Sequence, residues 1–112
     1  MKLHFSIFTL VILLVGCSKS KTVNIEYDSS FPQVEFAVSD LTKALVLKSY
    51  LISKKAKTTI HFIQDSTCCS PQEFSIKRVS NSKIEIIASD TNGLMYGGLE
   101  LAELIYTGNE LS

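Results

Sequence analysis

IEIIASDTNGLMYGGLELAELI, residues Ile84 to Ile105, joins a strand pattern to a helix pattern through a short polar turn, and the fold is read outward from it. Ile84, Ile86 and Ala88 alternate with Glu85, Ile87 and Ser89, the period of two that gives a strand one strongly apolar face. Asp90 breaks the alternation. Its carboxylate, or the hydroxyl of Thr91, can accept hydrogen bonds from the unpaired N–H groups of a first helical turn, and a negative charge suits the positive end of the helix dipole. Leu94, Leu101, Ala102 and Ile105, with Met95 and Leu99 beside them, form a broad apolar face, whereas Tyr96, Glu100 and Glu103 fall on the other side. Gly97 and Gly98 stand inside this helix, where each costs roughly 1 kcal/mol relative to alanine. Such a cost implies that the helix backbone packs closely against the sheet.

Upstream, Val23, Ile25 and Tyr27 alternate with Asn24 and Glu26 as a first strand, broken by Asp28-Ser29-Ser30 and Pro32. Val34, Ala37, Val38, Leu41 and Leu45 recur at helical spacing with Glu35, Asp40 and Lys43 outside, and the apolar pattern runs on less cleanly through Leu47 and Leu51. Thr58 to Gln64 reads as the second strand and Glu73 to Val79 as the third. Asn81-Ser82 is a tight turn into the fourth, Lys83 to Ser89, so the last two strands form a hairpin. Thr107-Gly108-Asn109-Glu110 is a helix stop. The expected order is strand-helix-strand-strand-strand-helix, a two-layer α+β domain with a mixed four-stranded sheet and two helices packed on one face.

The succession of a strand, Asp90 to Gly93, Leu94-Met95-Tyr96-Gly97 and Leu99 to Ile105 resembles the end of the small N-terminal domain that precedes the catalytic barrel in bacterial β-N-acetylhexosaminidases and α-glucuronidases. Glu35-Phe36-Ala37 to Leu45 is similar to that domain's first helix, and Glu73-Phe74-Ser75-Ile76 to its strand before the hairpin, so the resemblance covers about Val23 to Ile105. It implies a structural motif of Asp90, Gly93, Tyr96 and Gly97 and a noncatalytic role. In those enzymes the catalytic acids lie in the barrel, so no catalytic residue is carried over to this sequence.

At the amino terminus, Met1 and Lys2 precede an apolar run from Phe5 to Val15, roughly 11 residues against the roughly 20 that span a bilayer. It reads as a signal-peptide core. Leu14-Val15-Gly16-Cys17 resembles the lipobox of bacterial lipoproteins, which implies that Cys17 becomes the lipidated amino terminus. The organisation expected is a signal peptide over 1–16, a tether over 17–22 and one domain over 23–112. Acyl chains contribute roughly 0.8 kcal/mol per buried methylene, so a multiply acylated Cys17 anchors the protein to membrane stably. Ser18 is not the aspartate that marks inner-membrane retention, and the expected location is the bacterial envelope, at the outer membrane facing the periplasm.

Eleven Lys and Arg balance eleven Asp and Glu, which argues against a nucleic-acid partner. The cationic cluster Lys54-Lys55-Ala56-Lys57 lacks interleaved aromatics and reads as a solvated loop. Cys68 and Cys69 are adjacent, and a disulfide between them closes a strained eight-membered ring, so two free thiols in a polar turn are the expectation. One histidine beyond the signal, His61, alternates with Ile60 and Phe62 and reads as an ordinary strand residue. No metal site or cofactor is expected. Glu100 and Glu103 are three apart on a helix without an apolar pocket, hence a solvated face rather than a glycosidase acid pair. There is no tryptophan to serve as a sugar platform.

The function expected is the noncatalytic accessory domain of a secreted glycoside hydrolase acting in carbohydrate metabolism, truncated or split from its barrel, and this chain alone is not expected to be an enzyme. Its partners are then the membrane, through Cys17, and a catalytic barrel or a glycan. The rival is a stand-alone lipoprotein that binds a glycan or a partner protein. Met95-Tyr96, with the tail after Ile105, discriminates, because a missing barrel leaves apolar interface residues exposed.

Overall fold

The structure, a computed structural model, describes residues 21–111. The expected signal peptide, Cys17 and the first residues of the expected tether lie outside the described residues. Five strands and two helices follow in the order β1 (Lys21–Glu26), α1 (Pro32–Leu47), β2 (Tyr50–Ile52), β3 (Thr59–Gln64), β4 (Phe74–Ser80), β5 (Lys83–Ala88) and α2 (Thr91–Tyr106). The sheet order is β2-β1-β3-β5-β4. β1 runs parallel to both β2 and β3, β3 parallel to β5, and β4 pairs antiparallel with β5 as a hairpin.

The sheet therefore has five strands where the sequence pattern suggested four. Leu47 is the last residue of α1, the N–H of Lys48 still bonds the carbonyls of Ala44 and Leu45, and Ser49 at φ 70° reverses the chain. Tyr50–Ile52 then adds as an edge strand, with Tyr50 opposite Lys21 and Ile52 opposite Val23. Three residues carry too little alternation to separate a strand from a fading helix pattern.

Period-two patterning sets the two faces of the sheet. Val23, Ile60, Phe62, Ile84, Ile86 and Ala88 are buried beneath the helices, while their neighbours Asn24, His61 and Glu85 turn to the uncovered face. α1 meets this apolar face with Val34, Val38, Leu41 and Leu45, and α2 with Leu94, Leu101 and Ile105. The helices also pack against one another. Full burial of a single leucine or isoleucine such as Leu41, Ile60 or Ile86 contributes about 1.5–3 kcal/mol, so one continuous core holds both layers together.

Candidate functional site

Asp90 is extended, at φ −141° and ψ 170°, and caps α2. Its Oδ1 accepts the N–H of Gly93 at 2.7 Å, and its Oδ2 accepts the N–H of Gln72 at 3.0 Å. One carboxylate thus fixes the helix start and ties it to the β3–β4 loop, where Gln72 has φ 65°. Gly93 lies so close to this loop that an added Cβ would stand 2.5 Å from the carbonyl oxygen of Glu73. The two glycines further along α2 have different neighbours. A Cβ on Gly97 would sit 2.5 Å from Cγ2 of Ile86 in the sheet, and one on Gly98 would sit 2.9 Å from Cβ of Ala37 in α1 and from the Phe62 ring. Gly98 therefore serves the contact between helices as much as the contact with the sheet.

Tyr96, between these buried glycines and Leu94, is turned outward and 42% exposed. On α1 the corresponding outward aromatic is Phe36, 61% exposed. The layer of helices thus presents one large aromatic from each helix, with Glu100 and Glu103 exposed on α2. Helical periodicity in the sequence already puts Tyr96 outside. Helical spacing puts Phe36 outside as well, since it stands two residues from each of the buried Val34 and Val38.

The uncovered face of the sheet carries charge in register. Glu26, His61, Glu85 and Lys77 stand side by side across β1, β3, β5 and β4. His61 Nε2 is 3.8 Å from Glu26 Oε2, and Lys83 Nζ is 3.7 Å from Glu85 Oε2. His61 Nδ1 is buried without a hydrogen-bond partner. Exposed pairs of this kind contribute at most about 1 kcal/mol.

Beside this row, Asp65, Cys68, Cys69, Ser75, Lys77 and Ile87 line a cavity of about 260 Å³. Cys68 and Cys69 are joined as a disulfide, which corrects the expectation of two free thiols. The loop is folded tightly around them. Asp65 Oδ1 accepts both the N–H and the O–H of Thr67, the N–H of Cys68 bonds the Asp65 carbonyl, and Cys69 Sγ lies 3.9 Å from the Ile87 carbonyl oxygen. Sequence gives the adjacency of the two thiols but not this turn.

The Thr67 hydrogen bonds, side chain first, hold the Asp65 carboxyl below the usual carboxylate range, and Ser30 does the same for Asp28. Burial pushes the Tyr27 phenol up, helped by Glu35, whose Oε1 accepts its O–H at 3.4 Å. Both displaced carboxyls thus move away from the raised value that a general acid for glycoside cleavage requires. Among the described residues no group of three or more His, Cys, Asp and Glu could hold a metal ion. No helix among them is long and apolar enough to cross a membrane.

Fold and surfaces define a class, the small two-layer α+β unit with a mixed sheet covered on one side by two helices. No family model matches the chain. It is similar to the uncharacterized protein MJ1535 of Methanocaldococcus jannaschii, 27% identical over 109 aligned residues, which cover 85% of this chain and 35% of that protein. The chain thus spans about a third of the relative's length. Among solved structures it shares its fold with part of a GH138 enzyme targeting pectin rhamnogalacturonan II, at a TM-score of 0.65 and 23% identity, over 81% of this chain and 14% of the enzyme's.

Proposed function

We propose that this chain is the noncatalytic accessory domain of a secreted glycoside hydrolase, held at the bacterial envelope by an acylated Cys17. The observation that carries this reading is the relation of part to whole. The matched unit is 14% of the GH138 chain and 35% of the archaeal protein, so in both it is a minor part of a longer polypeptide. The motif Asp90, Gly93, Tyr96 and Gly97 points in the same direction, and within the glycoside hydrolases to a β-N-acetylhexosaminidase or α-glucuronidase parent. The outward Phe36 and Tyr96 suit burial beneath a neighbouring domain, since fully covering an aromatic side chain contributes about 1.5–3 kcal/mol.

Two measurements test the reading. Translating the DNA beyond the Ser112 codon in every forward frame is expected to reveal a barrel-coding stretch; an unrelated gene there favours the stand-alone lipoprotein instead. The purified chain is expected to leave chromogenic N-acetylglucosaminides and glucuronides uncleaved. Turnover that stays above background and co-purifies with the chain through successive columns sinks the noncatalytic role.

A further inference from the structure

We propose that the edge of the domain formed by the end of α1 and by β2 lies directly against the phospholipid surface. This rests on the reading of Cys17 as acylated, and its own content is which surface of the domain meets the bilayer. Lys21 opens β1 and stands opposite Tyr50, the first residue of β2, with its ammonium 5.4 Å from the Tyr50 ring centroid. The chain from Cys17 therefore enters the fold beside the β2 edge. Ser18 to Ser20 are the residues between Cys17 and Lys21, and at about 3.5 Å per residue the Lys21 Cα stays within roughly 14 Å of the anchored cysteine. The polar layer of each leaflet is roughly 5–8 Å deep, and a tether this short leaves the β2 end of the domain at the headgroups.

The surface found there suits that position. Val46, Leu47, Leu51 and Ile52 are 57%, 69%, 55% and 43% exposed, four large apolar side chains grouped around one chain reversal on an edge strand. Clusters of this kind on a soluble domain mark a contact surface, and an uncovered edge strand invites pairing with other chains unless something shields it. Lys21 and Lys48 are exposed at the same end, where anionic headgroups attract them; Glu110, which lines a cavity with both, is the one carboxylate in that lining. Apolar side chains among cations, at the end where the tether enters, match an acyl–headgroup boundary better than a second protein surface.

The chain contains no tryptophan, so Leu51→Trp introduces a sole fluorescent reporter. The chain as processed and acylated at Cys17 is reconstituted into vesicles of phosphatidylethanolamine and phosphatidylglycerol, and acylation is verified by mass spectrometry. Emission of the Leu51→Trp chain is expected to shift to the blue and to lose most of its intensity when the phospholipids carry brominated acyl chains. The Val79→Trp chain, with its reporter at the opposite edge on β4, is expected to keep water-like emission and full intensity. Leu47→Trp repeats the measurement should Leu51→Trp fail to fold by circular dichroism. An acylated chain whose Leu51→Trp signal stays unquenched overturns the proposal and leaves the anchor intact, whereas a chain without acyl groups overturns both. A blue shift that grows with protein concentration in the absence of lipid assigns the edge to a second copy, and overturns the proposal too.

Discussion

α1 and α2 are equally long, 16 residues each, and lie in the same layer, yet they are held by opposite means. α1 starts with Pro32 after Phe31, has no side-chain cap, contains no glycine, and gains its place from a continuous apolar stripe. α2 has a bonded cap at Asp90 and two buried glycines where its backbone approaches Ile86, Ala37 and Phe62. A helix specified by burial tolerates a poor start; one specified by close approach sacrifices helix propensity for fit, and the cap offsets part of that cost.

The sharpest way to break this comparison is at the Gly97–Ile86 contact. Ile86→Ala empties a fully buried site and is expected to cost about 2–5 kcal/mol. Gly97→Ala should be next, losing about 1–3 kcal/mol to overpacking even though alanine favours a helix by about 1 kcal/mol. The two changes together should cost less than their sum, because the new methyl enters the space Ile86 leaves. Chemical denaturation of the four chains measures this, and simple additivity would show that the contact does not govern the position of α2. Asp90→Ala should cost about 1–2 kcal/mol and speed hydrogen exchange at both Gly93 and Gln72, since one carboxylate serves both amides. If only the Gly93 amide responds, the carboxylate does not hold the loop.

Smaller effects probe α1 and the loop. Ser39→Ala, on the exposed side of α1, should stabilise by about 0.5 kcal/mol, the ordinary propensity result, and so have the opposite sign to Gly97→Ala. The smallest effect concerns Asp65. Its folded value is depressed, so the hydrogen bonds to Thr67 favour the folded state above the carboxyl's unfolded pKa and lose that effect as pH falls through the folded one. Thr67→Val should raise the Asp65 carboxyl toward its usual range in a carbon-13 titration while leaving neutral-pH stability almost unchanged; an unmoved titration would remove Thr67 as the cause.

What the sequence disclosed follows the distance over which each signal acts. The helix from Thr91, the Asp90 turn and the β4–β5 hairpin depend on neighbours a few residues apart, and alternation or spacing exposes them. β2 escapes because three residues have no measurable period, and its pairing partner Lys21 lies far upstream. The insertion of β3 between β1 and β5 leaves no trace in local pattern, since every strand there has an apolar face whatever its neighbour. Tyr96 is visible on the outside of α2 from helical spacing, whereas the buried Tyr50, its hydroxyl 3.5 Å from the Leu111 nitrogen, looks like part of a fading helix. The bond from Gln72 to Asp90 spans 18 positions and has no local signature.

The placement of β1 between two parallel neighbours has a mechanical consequence. A pull on the chain from its amino-terminal side runs along β1 and loads its hydrogen bonds to β2 and β3 sideways, so that they share the force instead of opening one after another. A strand joined at the antiparallel edge, as β4 is, would peel from its end. The proposed tether at Cys17 would therefore grip the domain at the place in this sheet best suited to bear drag.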